Sequence, residues 1–164
     1  MNIFGKTALA VTTAALCLAS APASAASCMA KEDVAAVKVR EMQTMLMVAA
    51  LRCRASGINI LPSYNAFVSA NRKTITAMND RLKLHFWASG PAEGQRRYDR
   101  FTTSLANAYG AGATGEESCA DMADLAHEAA IASGAGELIA IAERNIQSPR
   151  LPGAACRMVL ADRK

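Results

Sequence analysis

Several familiar signals are missing from this sequence, and each absence removes a class of function. No C-x-x-C pair occurs among the five cysteines, which argues against a zinc knuckle; without C-x-x-C-H there is no covalent haem attachment. No G-x-S-x-G or similar motif marks an activated serine. Sustained period-two alternation is absent, so strands are not expected, and no glycine-rich loop follows one to cradle a phosphate. No cofactor is implied. Between Glu116 and Glu143 there is no Lys or Arg at all against seven acidic residues, whereas Arg52 to Arg100 holds nine basic residues and three acidic ones. The chain is electrically lopsided. Two halves packed side by side, their charges partly compensating, are the simpler reading of this; a dedicated basic binding face is the other.

What is present begins with a leader. Lys6 is the only early charge, Ala8 to Ala19 is uncharged and apolar, and Ala23-Ser24-Ala25 is a small-residue run suited to cleavage after Ala25. The apolar stretch falls short of the roughly 20 residues a helix needs to cross a bilayer, and Pro22 interrupts the chain before the cleavage point. Residues 1–25 therefore read as a removable secretory signal, and 26–164 as a single domain destined for the periplasm or secretion, with no transmembrane segment in the mature chain. Lipidation at Cys28 is disfavoured, because Ala25 stands where a lipobox has Leu. The mature chain carries 17 basic and 14 acidic residues, a balance that points to no nucleic-acid partner.

Apolar residues recur three and four apart, which predicts an all-α bundle of about five helices. The first spans about 31–55, with Val34, Val37, Met45 and Val48 on one stripe and Val39, Met42, Leu46, Ala50 and Cys53 on an adjoining one, stopped by Gly57. Two adjoining stripes mark it as the central element. A second helix is expected from Pro62 or Ser63 to Trp87 and a third over about 92–109. A fourth starts at Thr114, which has the capping-box spacing to Glu117, and a short fifth covers about 137–146.

Loss of Cys17 with the leader leaves Cys28, Cys53, Cys119 and Cys156, an even number in an oxidising compartment, so two disulfides are expected. A continuous first helix holds Cys28 and Cys53 about 37 Å apart at its two ends, whereas bridged Cα atoms lie within about 7 Å. In an up-and-down bundle the end of helix one meets the start of helix four. The expected pairs are therefore Cys53 with Cys119 and Cys28 with Cys156.

Four constellations are candidates for chemistry. The fourth helix carries Asp121, Asp124, His127 and Glu128, of which Asp124 and His127 have the spacing of carboxylate-bridged metal helices, though a second such pair is missing; a solvated acidic face is the simpler reading. His85 stands beside Phe86 and Trp87 with no nucleophile motif to serve. Met42, Met45 and Met47 offer thioethers suited to Cu(I), or simply core filling. Arg96, Arg97 and Arg100 cluster on the third helix with Tyr98 and Phe101 nearby, a set suited to an anionic partner such as lipid, lipopolysaccharide or cell-wall polymer.

The segment from Glu41 to Arg54, EMQTMLMVAALRCR, followed by Tyr64-Asn-Ala-Phe-Val68, resembles small exported helical proteins of Gram-negative bacteria to which no activity is assigned. The resemblance covers the first two helices and implies a shared fold and compartment only. The expected function is accordingly that of a non-enzymatic periplasmic or cell-envelope protein binding another envelope component. The alternative is a metal-binding protein or enzyme using the polar face of the fourth helix or the methionines of the first.

Overall fold

The computed structural model describes residues 28–88, 90–112 and 115–156. The expected leader, its cleavage near Ala25, and Thr114 lie outside the described residues. Six α-helices follow one another: α1 Lys31–Arg52, α2 Leu61–Ala70, α3 Arg72–Trp87, α4 Pro91–Gly110, α5 Glu116–Ala130 and α6 Ala135–Asn145, with a 3-10 turn Cys53–Ser56 continuing α1. Among the described residues the only β pairing is a single bridge between Met29 and Ala155.

The count exceeds the expected five because the second helix is two. The break falls at Asn71, whose backbone leaves the helical region at φ −102°, ψ 16°. Its buried side-chain amide donates to the Phe67 carbonyl at 3.1 Å and to the Ala129 carbonyl of α5 at 2.8 Å. That second bond closes the end of α5 and fixes where the chain bends. The start of α5 also differs from expectation: Gly115, extended at φ −95°, ψ 162°, is the N-cap, and no side chain caps it. At the other end of α1, Gly57 adopts the left-handed φ of 78° that ends the helical path, as its position suggested.

Helix α1 is central, packing against each of the other five. Its apolar residues serve two cores, and the stripe of Val34, Val37, Met45 and Val48 is divided between them, Met45 packing against the first. Val39, Met42, Leu46, Ala50 and Cys53 face a core completed by α2, α5 and α6, including Phe67, Leu125, Ala126, Leu138 and Ile141. Val37, with Val34 packed at its edge, faces a second core of Met29, Leu82, Phe86, Tyr98, Phe101 and Leu105 from α3, α4 and the segment just before α1. Burying a side chain such as Leu46 or Phe67 stabilises the fold by about 1.5–3 kcal/mol.

Both expected disulfides are present. Cys53–Cys119 joins the end of α1 to the first turn of α5, with Cα atoms 5.6 Å apart, and Cys28–Cys156 joins the two ends of the described chain at 4.8 Å. Beside the latter, Met29 N–H donates to the Ala154 carbonyl at 2.8 Å and Cys156 N–H to the Met29 carbonyl at 2.9 Å. The segment after α6, residues 150–156, is thereby strapped back over the start of α1.

Helices of the basic and acidic stretches do pack side by side, α2 against α5, and the ion pairs of the basic stretch among the described residues include the following. Arg81 pairs with Asp33 at 2.7 Å and Glu32 at 3.7 Å, Lys83 with Asp80 at 3.7 Å, and Arg96 and Arg100 with Glu93 at 2.7 and 3.2 Å. These partners come from α1 and from within the basic stretch itself. In the acidic stretch, Glu128 of α5 pairs with Arg144 of α6 at 2.5 Å.

Candidate arginine-lined groove

Helices α3 and α4 approach closely where Gly94 faces the end of α3. A Cβ at that position would lie 2.7 Å from the Trp87 Cα and 2.9 Å from the Phe86 carbonyl oxygen, so only glycine permits this separation. The approach brings Phe86 against Tyr98 and Phe101, with ring centroids 5.9 and 5.6 Å apart. On the next turns of α4, Arg97, Arg100, Phe101 and Ser104 share one face.

The strapped tail supplies the opposite wall. Arg97, Arg100, Phe101 and Ser104 together with Phe86 and the tail residues Arg150, Leu151 and Pro152 line a groove of about 370 Å³. Three arginines from two distant segments thus share one groove with apolar residues. Arg97 has its guanidinium carbon 5.8 Å from the Phe86 ring centroid, a cation–π distance.

Arg150 is held from beneath by Glu41, which is only 2% exposed. One Glu41 carboxylate oxygen accepts the Arg150 backbone N–H at 2.9 Å; the other accepts the Tyr109 hydroxyl at 2.8 Å and lies 3.6 Å from the Arg150 Nε. The Arg150 guanidinium also sits 5.8 Å from the Tyr109 ring centroid. Burial, and the hydrogen bond and charge of Glu41, raise the Tyr109 hydroxyl well above its ordinary pKa. At the groove's outer edge, hydrogen bonds from Arg96 and then Arg100 hold the exposed Glu93 carboxyl below its ordinary range.

Of the three arginines expected as an anionic contact, Arg97 and Arg100 line the groove and Arg96 does not. Arg96 reaches back along the helix to Glu93 through Nε at 3.0 Å and its terminal nitrogen at 2.7 Å. Arg150 and Glu41 were missed by sequence reasoning. An isolated acid in the middle of an apolar stripe was the only available signal for Glu41.

The remaining candidates are placed as follows. Asp121, Asp124, His127 and Glu128 are all exposed on α5, and among the described residues no group of three or more His, Cys, Asp or Glu side chains is arranged to hold a metal. His85 packs edge-on against Phe86 and has its Nδ1 3.9 Å from the Asp33 carboxylate, which Arg81 already engages. Met42 is fully buried in the α1–α2–α5–α6 core and Met47 is exposed. Met45 instead lines, with Val48, Ala108 and Met122, a cavity of about 220 Å³ bordered by Arg52. Arg52 donates to the carbonyls of Tyr109, Gly110 and Gly112, closing the C-terminus of α4. Among the described residues no helix is long and apolar enough to cross a membrane.

Comparison with protein-family models, with curated proteins and with solved structures finds no match to this chain.

Proposed function

We propose that this is an exported periplasmic or cell-envelope protein that acts without catalysis, by binding an anionic envelope component through the groove between α4 and the tail. The observation that carries the reading is the convergence of Arg97, Arg100 and Arg150 on one groove that they share with apolar residues. Guanidiniums offer forked donors that match oxyanions, and clustering them attracts an anion from a distance. Export is supported by the leader pattern of residues 1–25, by the resemblance of the first two helices to small exported helical proteins, and by two disulfides, which persist in oxidising compartments. Cys28–Cys156 has a direct part in this reading, because it secures the tail that supplies Arg150.

The test is binding of the oxidised mature protein to an immobilised native envelope fraction, comparing wild type with R97A/R100A/R150A and with R72A/K73A, which removes exposed charge elsewhere on the surface. The reading expects the triple variant to lose about tenfold or more in apparent affinity, equivalent to about 1.4 kcal/mol, while the control variant binds as wild type. Equal binding by the triple variant removes the groove as the contact.

A further inference from the structure

We propose that the groove takes a monomeric single-chain amphiphile with an oxyanion head, phosphate or carboxylate: Arg97, Arg100 and Arg150 grip the head while the half-buried Leu151 and Pro152, with the exposed edges of the largely buried Phe86 and Phe101, underlie the chain. This deepens the reading above and rests on it, adding the chemical class of the ligand.

Two properties of the groove select that class. Its charged residues are arginines, whose planar guanidinium fork bonds two oxygens of a phosphate or carboxylate at once. Its apolar residues are aromatic and aliphatic, a surface that a bare inorganic anion or a sugar leaves unused. At about 370 Å³, the groove lies at the small end of the range of roughly 300–1,000 Å³ typical of small-molecule sites. That space suits a head group and the upper part of one chain.

Two of the arginines are held in different ways. Arg100 shares the exposed Glu93 with Arg96 at 3.2 Å, and an exposed pair of this kind is easily exchanged for a better-placed oxyanion. Arg150 is fixed by Glu41 through its backbone N–H and its Nε side, so it meets a ligand already oriented. The cavity beside Met45 and Met122 offers no such combination, because its lining holds one arginine, Arg52, whose guanidinium closes the end of α4 on three backbone carbonyls.

The experiment is calorimetric titration of the oxidised protein with dodecyl phosphate and with dodecanoate, each below its micelle concentration. Dodecyl maltoside, inorganic phosphate, and vesicles of phosphatidylglycerol or phosphatidylcholine serve as comparisons. The proposal expects one-to-one binding of at least one anionic amphiphile, about tenfold or more tighter than dodecyl maltoside or inorganic phosphate. It also expects R97A/R100A to lose that advantage and R96A to keep it. Variants are compared only where circular dichroism shows wild-type helicity; R97K/R100K, which keeps the charge but loses the fork, gives an intermediate loss and a second route to the same answer. Equal affinity for the maltoside reduces the groove to a non-selective apolar patch and overturns the proposal. Inorganic phosphate binding as tightly overturns it too, as does binding to phosphatidylglycerol vesicles with no binding of monomers. Should neither amphiphile bind while envelope binding still depends on the arginines, the ligand class fails and the surface reading stands; if arginine dependence is lost as well, both fail.

Discussion

The Tyr109 hydroxyl donates to the buried carboxylate of Glu41 at 2.8 Å, across 68 residues of sequence. Through that bond the C-terminal turn of α4 is tied to the middle of α1, and the same carboxylate accepts the backbone N–H of Arg150. One acidic side chain therefore connects the central helix, the helix that carries two groove arginines, and the tail that carries the third. A carboxylate removed from water in this way is tolerated because its oxygens find donors.

Removing the carboxylate strands those donors. Glu41→Ala is expected to destabilise the fold by about 2–4 kcal/mol, and Tyr109→Phe by about 1–2 kcal/mol, read from urea unfolding of the oxidised protein. The double variant should cost less than the sum, because both changes delete one shared bond. Simple additivity contradicts the coupling.

The pH dependence follows from the same pair. The Tyr109 phenol titrates above its ordinary value of 10.0, through burial first and then Glu41. Its proton is thus held more tightly in the folded than in the unfolded chain. The stability it contributes is complete below pH 10 and is lost as the pH climbs from there toward the raised folded value. Tyr64 is also raised, by burial, so the comparison must be with Tyr109→Phe. That variant should show a shallower loss of stability above pH 10 and one fewer late-titrating phenol by ultraviolet absorbance. Identical alkaline profiles for the two proteins contradict the assignment.

Gly94 sets the spacing of α3 and α4. Gly94→Ala places a methyl group against the Trp87 and Phe86 backbone, and a shift of the helices is expected to cost about 1–3 kcal/mol. Because the displaced helix carries Arg97 and Arg100, affinity at the groove should fall with stability. An unchanged unfolding midpoint contradicts the close approach.

The two disulfides should separate in effect. C28S/C156S frees the tail, and with it Arg150, from the start of α1, so binding is expected to drop while the helical far-ultraviolet signal persists. C53S/C119S cuts a bridge between buried cysteines inside the larger core and should act mainly on global stability. In the chain-entropy account each bridge contributes up to about 4–5 kcal/mol. Full binding by C28S/C156S contradicts the strap's role.

Much of this architecture was legible in the sequence because it rests on local geometry. The rise per residue of α1 was enough to forbid Cys28–Cys53, and the two apolar stripes foretold a helix buried on a wide face. The break at Asn71 was hidden, since no Gly or Pro marks it and its cause is a bond to Ala129, 58 residues away. The arginine cluster was visible but not its division. Arg96 and Arg97 are neighbours in sequence, yet successive residues project about 100° apart on a helix, and only Arg97 reaches the groove. Arg150 was invisible as a site residue because its position depends on Glu41, 109 residues earlier, and on the disulfide that brings the tail home.

The most direct test of the groove is residue-resolved. Isotope-labelled oxidised protein titrated with dodecyl phosphate below its micelle concentration should show amide shift changes concentrated at residues 97–104 and 150–152, with saturation at one equivalent. Changes centred instead on the cavity of Met45 and Met122 or on the acidic face of α5, or no saturable change anywhere, would contradict the account.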